Sequence, residues 1–367
     1  MKLLMTADAV GGVWTYALDL CSALSRHGVR IVLATMGPRP SDEQRIAAAA
    51  LDNVQLVESD YRLEWLPEPW GDVAAAGEWL VDLAASNAVD VVHLNGYSHA
   101  TLPWGRPVVC VAHSCVSTWW QAVYGKAPPG EWDEYRRHVS AGLNSADVVI
   151  AATAAFLKQL SACYEFTRPT RVIKNGRVQV QSADRLNVPR EPVVLACGRP
   201  WDASKNMRVL DAAARNARWS AYLIGNLAGP NGRSFTPSAV RAVGTQSTCE
   251  VQAWMSRASL FVHPALYEPF GLAVVEAAAA GCALVLADIP TLRELWNDAA
   301  EFFDPRNSRD LRVTLDKLIA NPARQRELAA VAQVRASEYR IESAAAEYLE
   351  TYRALLRQHE NGERTAA

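Results

Sequence analysis

The chain has 367 residues, more than one ordinary hydrophobic core organises, so two domains of roughly 150–200 residues are expected. Half of it is apolar and 21% charged, an ordinary globular balance. A formal net charge of −2 excludes the global basic field that draws in nucleic acid or an anionic membrane.

In chain order, short β-branched runs alternate with helical patterns. In the first half the runs are "KLLMTAD" (2–8), "RIVLATM" (30–36), "VQLVES" (54–59), "VDVVHLNG" (89–96), "PVVCVAHS" (107–114), "ADVVIAAT" (146–153) and "RVIKNG" (171–176). In the second they are "PVVLACG" (192–198), "AYLIGN" (221–226), "VRAVGT" (240–245), "SLFVHP" (259–264) and "ALVLAD" (283–288). The runs are unbroken instead of alternating, which marks parallel strands covered by helices on both faces. Between the first two, Val13, Ala17, Leu20 and Leu24 form an apolar helical stripe that Gly28 ends. Residues 308–357 read as mostly helical with a restart at Pro322, and the polar tail "HENGERTAA" is expected to fray.

The segment 181–192 is polar, carries two prolines and lacks an apolar pattern, so it reads as a linker. Two doubly wound α/β domains follow, residues 1–185 and 190–337. Ligands of such sheets bind at the carboxyl ends of strands, here in a cleft between two facing domains. No run of about 18 apolar residues occurs and no secretory leader is expected. The seven cysteines form no C-x-x-C pair, which suits buried thiols of a cytoplasmic protein.

The strand-end loops carry the candidate chemistry. Gly11 and Gly12 open the first helix, where a backbone can approach a ligand closely and a helix end favours negative charge; a simple tight turn accounts for them equally. "CGRPWDASKNM" (197–207) places Arg199 and Lys205 six residues apart across a loop entering a helix. Two cations there suit a diphosphate, or are solvated surface charges; Ser204 or Asn206 fits a helix cap. "YEPFGLAVVEAAAAG" (267–281) sets Glu268 in a loop and Glu276 in the following helix, in otherwise apolar company. The helix opening at Phe270, Gly271 and Leu272 leaves free amides for a phosphate or developing anion, and Glu276 suits sugar hydroxyls. His113 ends a strand and serves as a ligand hydrogen-bonding group, a proton carrier or a core histidine; His93 and Asn95 sit at the preceding strand end with the same ambiguity.

The Glu-x7-Glu run "EPFGLAVVE" with "AAAAGCALVLADI" resembles the signature of retaining glycosyltransferases of family 4, of GT-B fold. "GGVWTYALDLCSAL", "VIKNG", "GRPWDASKN", "ASLFVHPALYEPFG", "RELWNDAAEFFDP" and "EYLETYRALL" fall in family order, so the resemblance covers nearly the whole chain. It implies a nucleotide-sugar donor, with UDP the commonest, in the second domain, and an N-terminal domain that binds a carbohydrate or small-molecule acceptor. It implies a last helix, 338–358, crossing back onto the first domain. Arg199 and Lys205 would hold the diphosphate, Glu276 the ribose, and Glu268 with the backbone at Phe270, Gly271 and Leu272 the donor sugar. His113 would contact that sugar, Gly11 and Gly12 would close over it, and the base would rest on 243–248. Three departures stand out: Arg177 and Val178 follow Asn175-Gly176, Asn95 replaces the second His of a frequent His-x-His, and "IPTLREL" replaces a Gly-rich turn before Glu294.

The reaction expected is transfer with retention and without a protein nucleophile. No Asp-x-Asp occurs, which suits a metal-free site with no cofactor besides the nucleotide sugar. Eight of the twelve tryptophans lie in the first 132 residues. Trp119 and Trp120 fit an acceptor wall alongside Asn95, a packed core, or a pair dipping into a lipid interface, so membrane contact is expected to be peripheral at most. A nicotinamide dehydrogenase is disfavoured because neither domain opens with G-x-G-x-x-G. A catalytically silent sugar-nucleotide binder and a phosphate-dependent phosphorylase remain as alternatives.

Overall fold

A computed structural model describes residues 1–178, 190–229 and 232–366; most of the expected linker, 181–189, lies outside them. The chain divides into two compact units. The first comprises Met1–Trp120, Ala127–Val178 and Ile341–Ala367, the second Gln121–Lys126 and Gln179–Arg340.

The first unit holds a seven-stranded parallel sheet: β1 (Lys2–Asp8), β2 (Arg30–Met36), β3 (Val54–Glu58), β4 (Val91–Leu94), β5 (Val108–Ala112), β6 (Val148–Ala151) and β7 (Thr170–Val172). Their spatial order is β3-β2-β1-β4-β5-β6-β7. Every residue of β4, β5 and β6 is buried, the two-faced burial that their unbroken apolar runs require. Helix α1 (Gly12–Ser25) buries Trp14, Tyr16, Ala17, Leu20, Cys21 and Leu24. The last helix of the chain, Ile341–Ala366, packs on α1 and buries Tyr348 and Tyr352 completely. It begins three residues later than the sequence pattern suggests, and its polar end is helical to Ala366 instead of frayed. A helix nucleated by packed upstream turns propagates through polar residues at little cost.

The second unit holds a six-stranded parallel sheet: β8 (Glu191–Cys197), β9 (Ser220–Ile224), β10 (Arg241–Gly244), β11 (Ala258–His263), β12 (Ala283–Ala287) and β13 (Glu301–Phe303), ordered β10-β9-β8-β11-β12-β13. β13 was not marked by any apolar run: it is a three-residue edge strand with two half-buried positions. Helix α9 (Leu272–Ala279) follows β11, and α7 (Met207–Ala214) follows β8. Arg190 donates to the carbonyls of Ala258, the first residue of β11, and Ala280, the C-cap of α9, and so ties the two elements together. Of the seven cysteines, Cys21, Cys110, Cys115 and Cys282 are buried, whereas Cys249 is exposed.

In each sheet the order reverses once, between β1 and β4 in the first unit and between β8 and β11 in the second. Connections on the two sides of such a reversal leave to opposite faces, which opens a crevice at the strands' carboxyl ends. The crevice in the second unit depends on Gly225: a Cβ there would lie 1.9 Å from the carbonyl oxygen of Gly198 at the end of β8. Gly225→Ala should therefore destabilise this unit by roughly 2–4 kcal/mol through clash and backbone strain. Calorimetry resolving the two units checks this, with the loss expected in one transition only.

Candidate functional site

In the second unit the loops after β8 and β11 meet at the reversal. Lys205 Nζ donates to Glu268 Oε2 at 2.7 Å, and His263 Nε2 lies 3.0 Å from the same oxygen. The three side chains are 16%, 13% and 3% exposed, so the pair is nearly dry. Burial alone would raise the Glu268 carboxyl, but the Lys205 ammonium and the His263 hydrogen bond outweigh it and hold the group well below the usual carboxylate range. Backbone joins the two loops, Leu266 N donating to Ser204 O, and the hydroxyl of Thr291, on the helix Pro290–Trp296, donates to Glu268 O and holds the second loop. Asn206, at φ +52°, does not cap α7 with its side chain; its Nδ2 braces the carbonyls of Pro264 and Pro305. Ser204 likewise turns to Asp202, which caps the short turn Ala203–Lys205.

Gly271 enters α9 at φ +90°, and a Cβ there would come 3.3 Å from Glu268 Cγ. Neither a side-chain cap nor an acidic residue sits in the first turn of α9, so its positive end is open to an anion. Phe270 is buried edge-on to Tyr339, which fixes the backbone from Phe270 to Leu272. Glu276 is half-buried just over one turn into α9. Burial and then the charge of Glu276 push the Cys197 thiol up to about 12 while Lys205 opposes them, so Glu276 and Lys205 both flank the end of β8. Arg199 is more open: it pairs with Asp202 at 3.3 Å and lies 5.6 Å over the Trp201 ring.

The structure thus joins Lys205, Glu268 and the α9 opening with Glu276 close by, and gives Arg199 a separate partner. His263, Asn206 and Thr291 were not read as site residues. The only signal for His263 was its place as the last residue of the run "SLFVH".

In the first unit the reversal brings β1, β4 and β5 ends together. Asn95 Nδ2 donates to Thr6 O, which fixes its amide. Asn95 Oδ1 then accepts from His113 Nε2 at 2.7 Å and His93 Nε2 at 3.2 Å. Burial and then His93 bring the His113 pKa down to about 3, and burial brings that of His93 to about 4, so both rings are neutral. Protons on both Nε2 atoms leave both Nδ1 atoms as acceptors. Tyr352 OH satisfies that of His93 at 2.6 Å. His113 is therefore a hydrogen-bond acceptor at neutral pH, not an acid.

Beside Asn95 lies a small, open-mouthed pocket whose walls include Asp8, Arg62, Glu64, Trp65, Asn95 and Gly96. Gly11 and Gly12 are exposed at the start of α1. Trp119 and Trp120 sit half-buried and edge-to-face at 6.1 Å on helix Val116–Tyr124, and neither lines this pocket.

Two parallel sheets, each reversing once, with an uncapped helix end beside a carboxylate–lysine pair in the second, define a two-unit doubly wound α/β architecture. Residues 10–177 match the family described as Glycosyltransferase Family 4, and residues 236–335 match Glycosyl transferases group 1. The sucrose-phosphate synthase structure from Thermosynechococcus elongatus superposes with a TM-score of 0.81 at 20% identity, covering 98% of this chain and 100% of that one. Anabaena HepE in complex with UDP and glucose gives 0.73 at 18% identity, covering 97% and 100%. A GDP-mannose:cellobiosyl-diphosphopolyprenol alpha-mannosyltransferase of Xanthomonas oryzae pv. oryzae is 29% identical over 60% of this chain and 61% of its own length. The serotype-specific mannosyltransferase WbdA of Escherichia coli is 37% identical over 82 residues, a tenth of its length. The chain belongs to the family 4 glycosyltransferases and has the GT-B fold.

The imidazoles of His93, fully buried, and His113, half-buried, have a pH consequence. His93 and His113 bind a proton in the unfolded chain near 6.5 but not in the fold, so the unfolded state holds more protons below that value. Stability should be fully present above pH 6.5 and fall steadily from 6.5 towards 5, above the range in which Glu268 and its kind titrate. Urea unfolding across that window checks it; a flat profile would contradict neutral burial of these rings.

Proposed function

We propose that the chain transfers a hexosyl group from a nucleoside diphosphate sugar to a hydroxyl of a carbohydrate or small-molecule acceptor, with retention of anomeric configuration and without a metal. The observation that carries this reading is the buried Lys205–Glu268 pair beside the uncapped opening of α9. A departing diphosphate develops charge that Lys205 and the amides from Phe270 to Leu272 neutralise on this reading, with Arg199 as a second, more exposed cation. Glu268, ionised and immobilised by Lys205 and His263, orients sugar hydroxyls and is too committed to serve as a nucleophile. Glu276 takes the ribose hydroxyls, and neutral His113 accepts from a substrate hydroxyl. A phosphate oxygen takes the acceptor proton as the acceptor attacks from the face that the phosphate leaves.

The donor is read as a UDP-sugar, supported by the fold shared with the UDP- and glucose-bound HepE. GDP-mannose is the second reading, supported by the Xanthomonas relative. Thermal shift with UDP-glucose and GDP-mannose should stabilise the chain with one base and not the other. Lys205→Ala should then lower turnover by about 10–10³-fold, the scale of a lost charge-stabilising contact, and NMR of the product should show the donor's anomeric configuration. Binding without turnover for any acceptor would favour a silent binder, and inversion would refute the mechanism.

A further inference from the structure

The pocket at the β1/β4 reversal has chemistry that the donor site does not use. Its walls come from four places: Asp8 at the end of β1, Met36 at the end of β2, Asn95 and Gly96 after β4, and the loop carrying Arg62, Glu64 and Trp65 after β3. Trp65 is 37% exposed, and its indole meets no other ring among the described residues. By contrast, Trp70 stacks on His138 and Trp79 leans on Tyr61. An exposed, unshared indole on a pocket wall offers a face to a flat apolar surface such as the C–H face of a sugar ring.

The polar walls set the charge. Two carboxylates, Asp8 and Glu64, face one guanidinium, Arg62. That guanidinium is 58% exposed and already lies 3.5 Å from Asp72. The donors nearest Glu64 are occupied: Ser98 N and Ser98 Oγ donate to Glu64 Oε2 at 2.8 and 2.6 Å, and Tyr97 N to Oε1 at 3.2 Å. The carbonyl oxygen of Asn95 is held by two histidines. Asp8 Oδ1 likewise accepts from Val10 N at 2.8 Å, so the two carboxylates bring to the pocket their negative charge and the acceptor capacity that these bonds leave, which suit hydroxyl and ammonium donors and repel a phosphate.

We propose that this pocket binds an unphosphorylated sugar ring, neutral or aminated, stacked on Trp65 with its hydroxyls or amine on Asp8 and Glu64, and that Glu64 is the residue that turns phosphorylated rings away. The ring's role as acceptor rests on the glycosyl-transfer reading; its binding does not. Asn95, which lines the pocket, is hydrogen-bonded to His113 Nε2, so a ring held here is one residue away from the His113 network.

Saturation-transfer NMR on the full chain, with glucose, glucosamine and glucose 6-phosphate and no nucleotide sugar, tests it. Glucose and glucosamine should bind, and the 6-phosphate at least about tenfold more weakly, as like charge in a confined pocket requires. Trp65→Ala should remove the glucose signal and Trp65→Phe should retain part of it. Glu64→Gln, which keeps one acceptor but loses the charge, should narrow the gap between glucose and its phosphate. A stronger signal from the phosphate, no signal from any probe, or signals that survive Trp65→Ala would overturn the proposal. Because no donor is present, failure here leaves transfer standing, and failed transfer with sound sugar binding leaves the pocket standing.

Discussion

The reversal of strand order is the constraint from which both sites follow. β8 pairs in parallel with β9 on one side and β11 on the other, and β1 does the same with β2 and β4. Parallel strands force crossover helices, and crossovers that depart to opposite faces cannot cover the gap between the strands from which they leave. The loops that border that gap are the ones that carry Lys205 and Glu268 in one unit, and Asp8 and Asn95 in the other. Neither set of residues needs to be near in sequence; Lys205 and Glu268 are 63 positions apart. The backbone bond from Leu266 to Ser204 and the bracing of two prolyl carbonyls by Asn206 turn a gap into a fixed geometry.

Electrostatically the two gaps are opposites. In the second unit a carboxylate is buried with a lysine and a histidine on the same oxygen. Desolvating such a pair is costly, and replacing it by apolar residues is often no less stable. The arrangement therefore makes more sense as a preorganised charge distribution than as a stabilising one: an ammonium held rigidly beside an uncapped helix end would need no reorganisation if a diphosphate departed there as proposed. The first unit carries excess negative charge on its pocket wall and neutral imidazoles behind it. The charges thus favour an anion at one reversal and oppose one at the other, which is the division of labour that the proposed charged donor and uncharged ring would require.

Most of the architecture was legible in the primary structure because parallel strands buried on both faces write themselves as unbroken apolar runs. β13 was not, since three residues at a sheet edge leave no pattern to find. Within the site, Glu268, Lys205 and the glycine at 271 were legible as types in strand-end loops, but their mutual geometry was not. The ion pair at 2.7 Å and the divergence of Arg199 towards Asp202 depend on how two distant loops fold against each other. The tryptophans show the limit most clearly. Composition marked the first 132 residues as aromatic-rich, and adjacency drew attention to Trp119 and Trp120, yet the indole on the pocket wall is the isolated Trp65. Adjacency in sequence reflects nothing about exposure; a loop position after β3 does.

The same limit governs His113. Its tautomer is set by Asn95, and the same Asn95 oxygen is shared with His93, whose own tautomer is set from the end of the polypeptide. Tyr352 lies 259 positions after His93. By donating to His93 Nδ1 it keeps the His93 proton on Nε2, and the Asn95 carbonyl oxygen, anchored through Thr6, then orders both rings. Without that hydroxyl, His93 would be free to exchange tautomers and Asn95 Oδ1 could lose one of its two donors, while the bond to Thr6 O would still hold the amide towards His113. The last helix therefore does more than cover α1. It supplies the terminal hydrogen bond of a buried network, so the chemistry presented at the β1/β4 reversal is complete only once the far end of the chain has docked on the first unit.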